Sequence, residues 1–122
     1  MPIQNSYFTT TTDGSGDYSE TLTDRIYNGL LYSVEWVDGD LVDGVDAVLS
    51  VTNTPSGVDY TLLTLTDANI DKTYYPRATL QDLTGTDNGG IDYALIEGNL
   101  KLVVSDGGAT KTGACIVRYL VV

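Results

Sequence analysis

Apolar and polar residues alternate along much of this chain, and where the alternation stops a cluster of Gly, Asp, Asn or Pro takes over. A period of two is the signature of a strand with one buried face. It predicts strands near Ser6–Thr12, Tyr18–Thr23, Gly29–Val37, Ala47–Asn53, Tyr60–Thr66, Arg77–Asp82, Leu100–Ser105 and Ala114–Val122. Between them, Asp13-Gly-Ser-Gly-Asp17, Asp38-Gly-Asp40, Thr54-Pro-Ser-Gly57 and Asp106-Gly-Gly108 each carry a residue suited to positive φ or to a preset turn. Helical periodicity is weak, with room for a single turn at most over Thr66–Lys72 or Asp92–Glu97. The expected fold is all-β: an antiparallel β-sandwich or flattened barrel of about eight short strands, with little or no helix.

The faces can be read as well. Leu30, Tyr32, Val34 and Trp36 share one side of their strand, with Trp36 the natural core anchor, and Leu100, Leu102 and Val104 make a second apolar face. The last strand is apolar on both sides. Ala114, Ile116, Leu120 and Val122 point one way, interrupted by Arg118, and Cys115, Val117, Tyr119 and Val121 point the other. One side packs on the chain's own core. The other is either the fringe of a central strand or a surface that needs a second sheet or a second polypeptide over it. Residues 1–17 differ, with four consecutive threonines and little apolar area. They read as an edge strand, or an arm joining a neighbour's sheet, ahead of one domain over 18–122. The expected contact surface joins Tyr119, Val121 and Val122 to Tyr7 and Phe8 of that first stretch.

Charge narrows the partners. Seventeen acids against six bases give the 122 residues a net charge of −11. Such a surface repels nucleic acid and anionic membranes and attracts a basic patch on a protein. No apolar run approaches the roughly 20 residues of a spanning helix. The opening Met-Pro-Ile-Gln-Asn has no basic segment followed by an apolar run, so synthesis and folding in a cytoplasm are expected. The single cysteine, Cys115, lies among Ala, Ile and Val and reads as a small buried hydrophobe.

Candidate chemistry is sparse. Histidine is absent, which removes the commonest general base and metal ligand, and no Ser-His-Asp or Cys-His set can form. The densest acidic segment, Asp38, Asp40, Asp43 and Asp46 with two glycines, offers oxygen ligands for Ca²⁺ but lacks the EF-hand spacing. Thr84–Gly90 and Gly107–Gly113 are glycine-rich without the G-x-x-x-x-G-K-[ST] spacing, so they read as loops that need no cofactor. Nine tyrosines suit strands, and exposed ones can also stack on sugars.

Two segments taken together carry a family likeness: Tyr74-Tyr-Pro-Arg77 followed by Gly85, and Gly98-Asn-Leu-Lys-Leu-Val-Val-Ser-Asp-Gly-Gly108 leading into Lys111-Thr-Gly113 and the apolar last strand. In this order they resemble small virion proteins of tailed bacteriophages, the capsid decoration or cement proteins. The resemblance implies a non-enzymatic β-sandwich, usually a homotrimer. It would sit on the outer surface of the capsid, bind the major capsid protein and stabilise the head, having been made in the bacterial host's cytoplasm. The residues themselves add Arg77, able to clamp a carboxylate or a backbone carbonyl, and Lys111 as candidate contacts. The resemblance also admits a tail, head–tail or fibre accessory protein with a receptor- or carbohydrate-binding role.

Overall fold

The computed structural model describes residues 2–122, and among these there is no helix. The strands are β1 (Ile3–Thr11), β2 (Tyr18–Thr21), β3 (Ile26–Val37), β4 (Asp46–Thr52), β5 (Tyr60–Leu65), β6 (Lys72–Tyr74), β7 (Arg77–Gln81), β8 (Asp87–Tyr93), β9 (Leu95–Ser105) and β10 (Thr112–Val121). One layer runs β1-β10-β3 with β6 beyond it, and the other runs β2-β9-β4-β5. All the pairings are antiparallel. β3 is long enough to serve both layers. Its first half pairs with β9 (Leu30 opposite Leu95) and its second half with β6 (Val34 opposite Tyr74), so the layers join at a corner.

The core fills the space between the layers. Phe8, Leu31, Val34, Trp36, Cys115 and Val117 come from one side, and Leu49, Val51, Leu100, Leu102 and Val104 from the other. Leu100, Leu102 and Val104 lie buried together, as their alternation predicts. β3 departs from the simple pattern. Its register with β10 steps from Ser33 opposite Arg118 to Leu31 opposite Tyr119, leaving Tyr32 as an extra residue. A bulge of this kind changes the phase of the alternation. Val34 and Trp36 are buried as expected, but Leu31 is the third core residue in place of Leu30 and Tyr32, which are half-buried.

Two glycines are required by space. At Gly98, where β9 meets both β3 and β4, a Cβ would lie 2.3 Å from the Thr52 carbonyl oxygen, and φ is +150°. At Gly39 it would lie 2.1 Å from that of Thr112, with φ +60°. The segments read as glycine-rich loop and helical turn, Thr84–Gly90 and Asp92–Glu97, instead supply most of β8 and the start of β9. Thr66–Asp71 is irregular with bends, and Lys72 opens β6.

Buried polar groups find partners. The Trp36 indole donates from Nε1 to the Ala68 carbonyl at 2.8 Å, fastening the β5–β6 connection over the core. Asn99 donates from Nδ2 to the Leu22 (2.9 Å) and Thr23 (3.2 Å) carbonyls and accepts from Asn53 Nδ2 at 3.1 Å. Thr12 donates from Oγ1 to the Gly108 carbonyl at 2.6 Å and accepts from the Lys111 N–H at 2.9 Å. Alternate threonines of the tract therefore serve the interior, Thr10 and Thr12 buried, Thr9 and Thr11 exposed.

Candidate attachment surface

β7 and β8 pair only with each other and stand off the body as a hairpin arm. The chain leaves the β3 layer at Tyr74, and Pro76, which has no N–H to give a neighbour, ends that pairing. It returns at Ala94, whose carbonyl accepts from the Leu31 N–H at 2.8 Å. The arm thus emerges from the flank of β3 between β6 and β9, beside the bulge at Tyr32. Both its strands are exposed along nearly their whole length, including Leu80 and Ile91 (68% exposed), and Leu83 at the tip is fully exposed.

Arg77 fixes the base of this arm. Its Nη1 donates to the Tyr32 carbonyl at 3.0 Å and to the Pro76 carbonyl at 2.8 Å. The guanidinium carbon lies 4.6 Å from the centre of the Tyr93 ring and 6.0 Å from that of Tyr32. Tyr75 adds an edge-to-face contact with Tyr32, ring centres 6.0 Å apart. A planar cation among aromatic faces, with its donors on carbonyls, suits arginine better than lysine. At the tip, the Asp82 carboxylate accepts from the Thr84 hydroxyl (2.7 Å), the Thr84 N–H (2.9 Å) and the Thr86 N–H (3.0 Å). These bonds, the Thr84 hydroxyl first, hold its pKa below the usual carboxylate value.

Beneath the arm runs a groove of about 510 Å³ between the arm's base and the outer edge of the body. Its walls include Pro55, Leu62, Pro76, Ala78, Ala94 and Leu95, with Arg77 and Glu97 as its charged members. Tyr60 and Leu62 bring the free edge of β5 to the same place.

The residues predicted from sequence do not form one surface. Phe8 is 1% exposed and belongs to the core, so it is not available as an outer contact. Tyr7 is 63% exposed on β1 and Val122 is exposed beyond β10, whereas Tyr119 is half-buried against the core and Val121 is half-buried beside it. Lys111 sits in the β9–β10 loop, its backbone bonded to Thr12. β10 itself is central, between β1 and β3, and its outward Ala114, Ile116 and Leu120 are half-buried. The Arg118–Glu35 ion pair (2.8 Å) lies on the same face. That face is a shielded fringe, and the barest apolar side chain of the described residues, Leu83, lies at the arm's tip. The sequence predicts the first strand of the arm, near Arg77–Asp82, but neither its partner strand nor its exposure, because Asp87–Tyr93 lacks alternation.

The four aspartates of the acidic segment do not gather into a ligand cage. Asp40 accepts from the Thr112 N–H (2.6 Å) and Asp46 from the Asp67 N–H (3.0 Å). Among the described residues no three acidic or cysteine side chains come together to hold a metal ion, so the Ca²⁺ reading is not carried further. Asp38 has Oδ1 buried without a hydrogen-bond partner, and burial, then repulsion from Asp71, Asp43 and Asp40, raises its pKa. Cys115 is buried in the core, and burial pushes its thiol up to about 12. Comparison with protein-family profiles and with curated proteins finds no match to this chain.

Proposed function

We propose that this chain is a non-enzymatic structural protein of a bacteriophage particle, a decoration protein on the outside of the head that binds the major capsid protein through the β7–β8 arm and the groove beneath it. The observation that carries the attachment role is the arm. An isolated two-stranded hairpin is marginal in water, and this one holds Leu80, Leu83 and Ile91 in solvent while Arg77 fixes its direction. Such a ribbon gains its cover from a partner. The net charge of −11 selects a partner with a basic surface around an apolar slot, and many copies on one shell strengthen weak single attachments. The virion assignment rests on the resemblance of Tyr74–Val122 to phage decoration proteins.

The test is co-expression with the major capsid protein of the same genome, followed by gradient sedimentation of the shells. The wild-type chain should travel with the shells, and Leu80→Asp/Ile91→Asp should remain at the top of the gradient with an unaltered melting temperature. A wild-type chain that never sediments with shells refutes the decoration role. Equal sedimentation of the double variant refutes the arm. A tail or fibre role with carbohydrate binding predicts a different result, retention on a glycan array that is lost when Tyr75 is changed to Ala.

A further inference from the structure

β1 is the outer strand of its layer, and among the described residues it has no strand on its far side. Its pairing with β10 runs without a shift from Ile3 opposite Leu120 to Thr11 opposite Thr112. Two backbone bonds at its ends reveal which groups are spent. Val121 N–H donates to the Pro2 carbonyl (3.2 Å) and Thr12 N–H donates to the Lys111 carbonyl (2.9 Å). In an antiparallel pair bonded and unbonded positions alternate. The even-numbered residues therefore bond to β10. The N–H and C=O groups of Ile3, Asn5, Tyr7, Thr9 and Thr11 point away from the sheet.

Natural edge strands are commonly defended by a charge, a proline, a bulge or a covering segment. This edge has none of the first three between Ile3 and Thr11. In a chain of net charge −11, the first acid is Asp13. The odd-numbered side chains, Ile3, Asn5, Tyr7, Thr9 and Thr11, are all exposed. A shallow groove of about 300 Å³ flanks the edge, lined by Asn5, Tyr7, Leu22 and Asp24 among others, and leaves room beside the strand.

We infer that this edge is a self-association surface: β1 of one copy pairs antiparallel with β1 of a second copy about a two-fold axis at Tyr7. The occupant is a second copy because the strand complements itself. With Tyr7 opposite Tyr7, Asn5 faces Thr9 and Ile3 faces Thr11, and every outward backbone group is matched, giving about ten new hydrogen bonds. Aromatic and threonine cross-strand pairs are favourable ones. Two chains that repel elsewhere meet along a strand with no charged side chain, with Asp24 the one charge lining the groove beside it, so association should strengthen as salt screens the rest of the surface. The surface is independent of the arm and stands whether or not the chain decorates a capsid.

Sedimentation velocity over micromolar to near-millimolar concentrations tests it. The wild type should pass from monomer to dimer, and more readily at high salt. Thr9→Pro removes an outward N–H without touching a bond to β10, and should weaken the dimer by roughly tenfold or more. Asn5→Lys/Thr9→Lys changes only exposed side chains and should do the same by placing like charges opposite one another. Asn5→Lys/Thr9→Glu should restore the dimer, since this register sets each Lys against the partner's Glu. Thermal melts confirm that the variants fold, and the lysine pair decides the matter if the proline variant does not. A wild type that stays monomeric overturns the proposal. So does a dimer unmoved by these changes, or a Lys/Glu variant that remains monomeric.

Discussion

Replacing Arg77 by Ala should loosen the arm while leaving the body intact. The guanidinium makes one long-range hydrogen bond, to the Tyr32 carbonyl at 3.0 Å, and stacks 4.6 Å from the centre of the half-buried Tyr93 ring. A hydrogen bond from a charged donor contributes about 1.5–3 kcal/mol. A cation over an aromatic face adds roughly 0.5–1 kcal/mol at a partly exposed site. Their sum, about 2–4 kcal/mol, acts on opening of the arm, since β7 and β8 pair only with each other. At about 1.4 kcal/mol per factor of ten, arm amides should exchange roughly 30- to 700-fold faster. Hydrogen exchange followed by mass spectrometry reads this directly, peptide by peptide. Peptides over residues 77–93 should lose protection, those from β4, β9 and β10 should keep theirs, and the melting temperature should barely move. Arg77→Lys should fall between, keeping charge but losing the planar fork. If arm exchange is unchanged, Arg77 is not the fastener; if the whole body loses protection together, the arm is not a separate unit.

Three further outcomes follow from the body of the molecule. Phe8→Ala removes a core side chain that is 1% exposed and should cost about 3–5 kcal/mol in urea unfolding; a loss under 1 kcal/mol would contradict its place in the core. Asn99→Leu strands the Leu22 and Thr23 carbonyls and the Asn53 amide, and should cost about 1–3 kcal/mol, with the β2–β3 connection losing exchange protection first. Asp38→Asn should raise the melting temperature at neutral pH, because the ionised carboxylate is the form that burial and its acidic neighbours disfavour. A carboxyl whose folded pKa is raised weakens the fold where it is ionised, and that cost disappears as pH falls through its titration. The advantage of the Asn variant over the wild type should therefore narrow in acid. Asp13 and Asp82, held below the usual value by hydrogen bonds, act oppositely, and the stability they supply is lost as pH drops through their lowered pKa values. A melting-temperature difference that is constant with pH would refute the role given to Asp38.

Alternation made the interior legible wherever one face is buried and the strand is regular. Leu100, Leu102 and Val104 show this, as do Cys115 and Val117, and Trp36 anchors the core. It misled at Leu30–Tyr32 because a bulge is a property of the pairing with β10, and no local residue choice announces it. Phe8 was misplaced for a related reason: among polar neighbours and threonines it looks like a lone exposed aromatic, until β10 sets the face it occupies. β8 went unseen because neither of its faces is buried, so nothing constrains Asp87–Tyr93 to alternate. A strand starting at Arg77 is predicted, but the arm it belongs to is not, because the carbonyl that anchors Arg77, that of Tyr32, lies 45 positions away in the chain.

The lone indole, clamped to the Ala68 carbonyl in the middle of the sandwich, gives the molecule a built-in optical gauge. Its emission should be blue-shifted and sheltered from acrylamide until the two layers part, and blind to whatever the projecting ribbon does. Fluorescence would then time the unfolding of the body alone, and a loss of protection in residues 77–93 that is silent in that signal can be assigned to the ribbon.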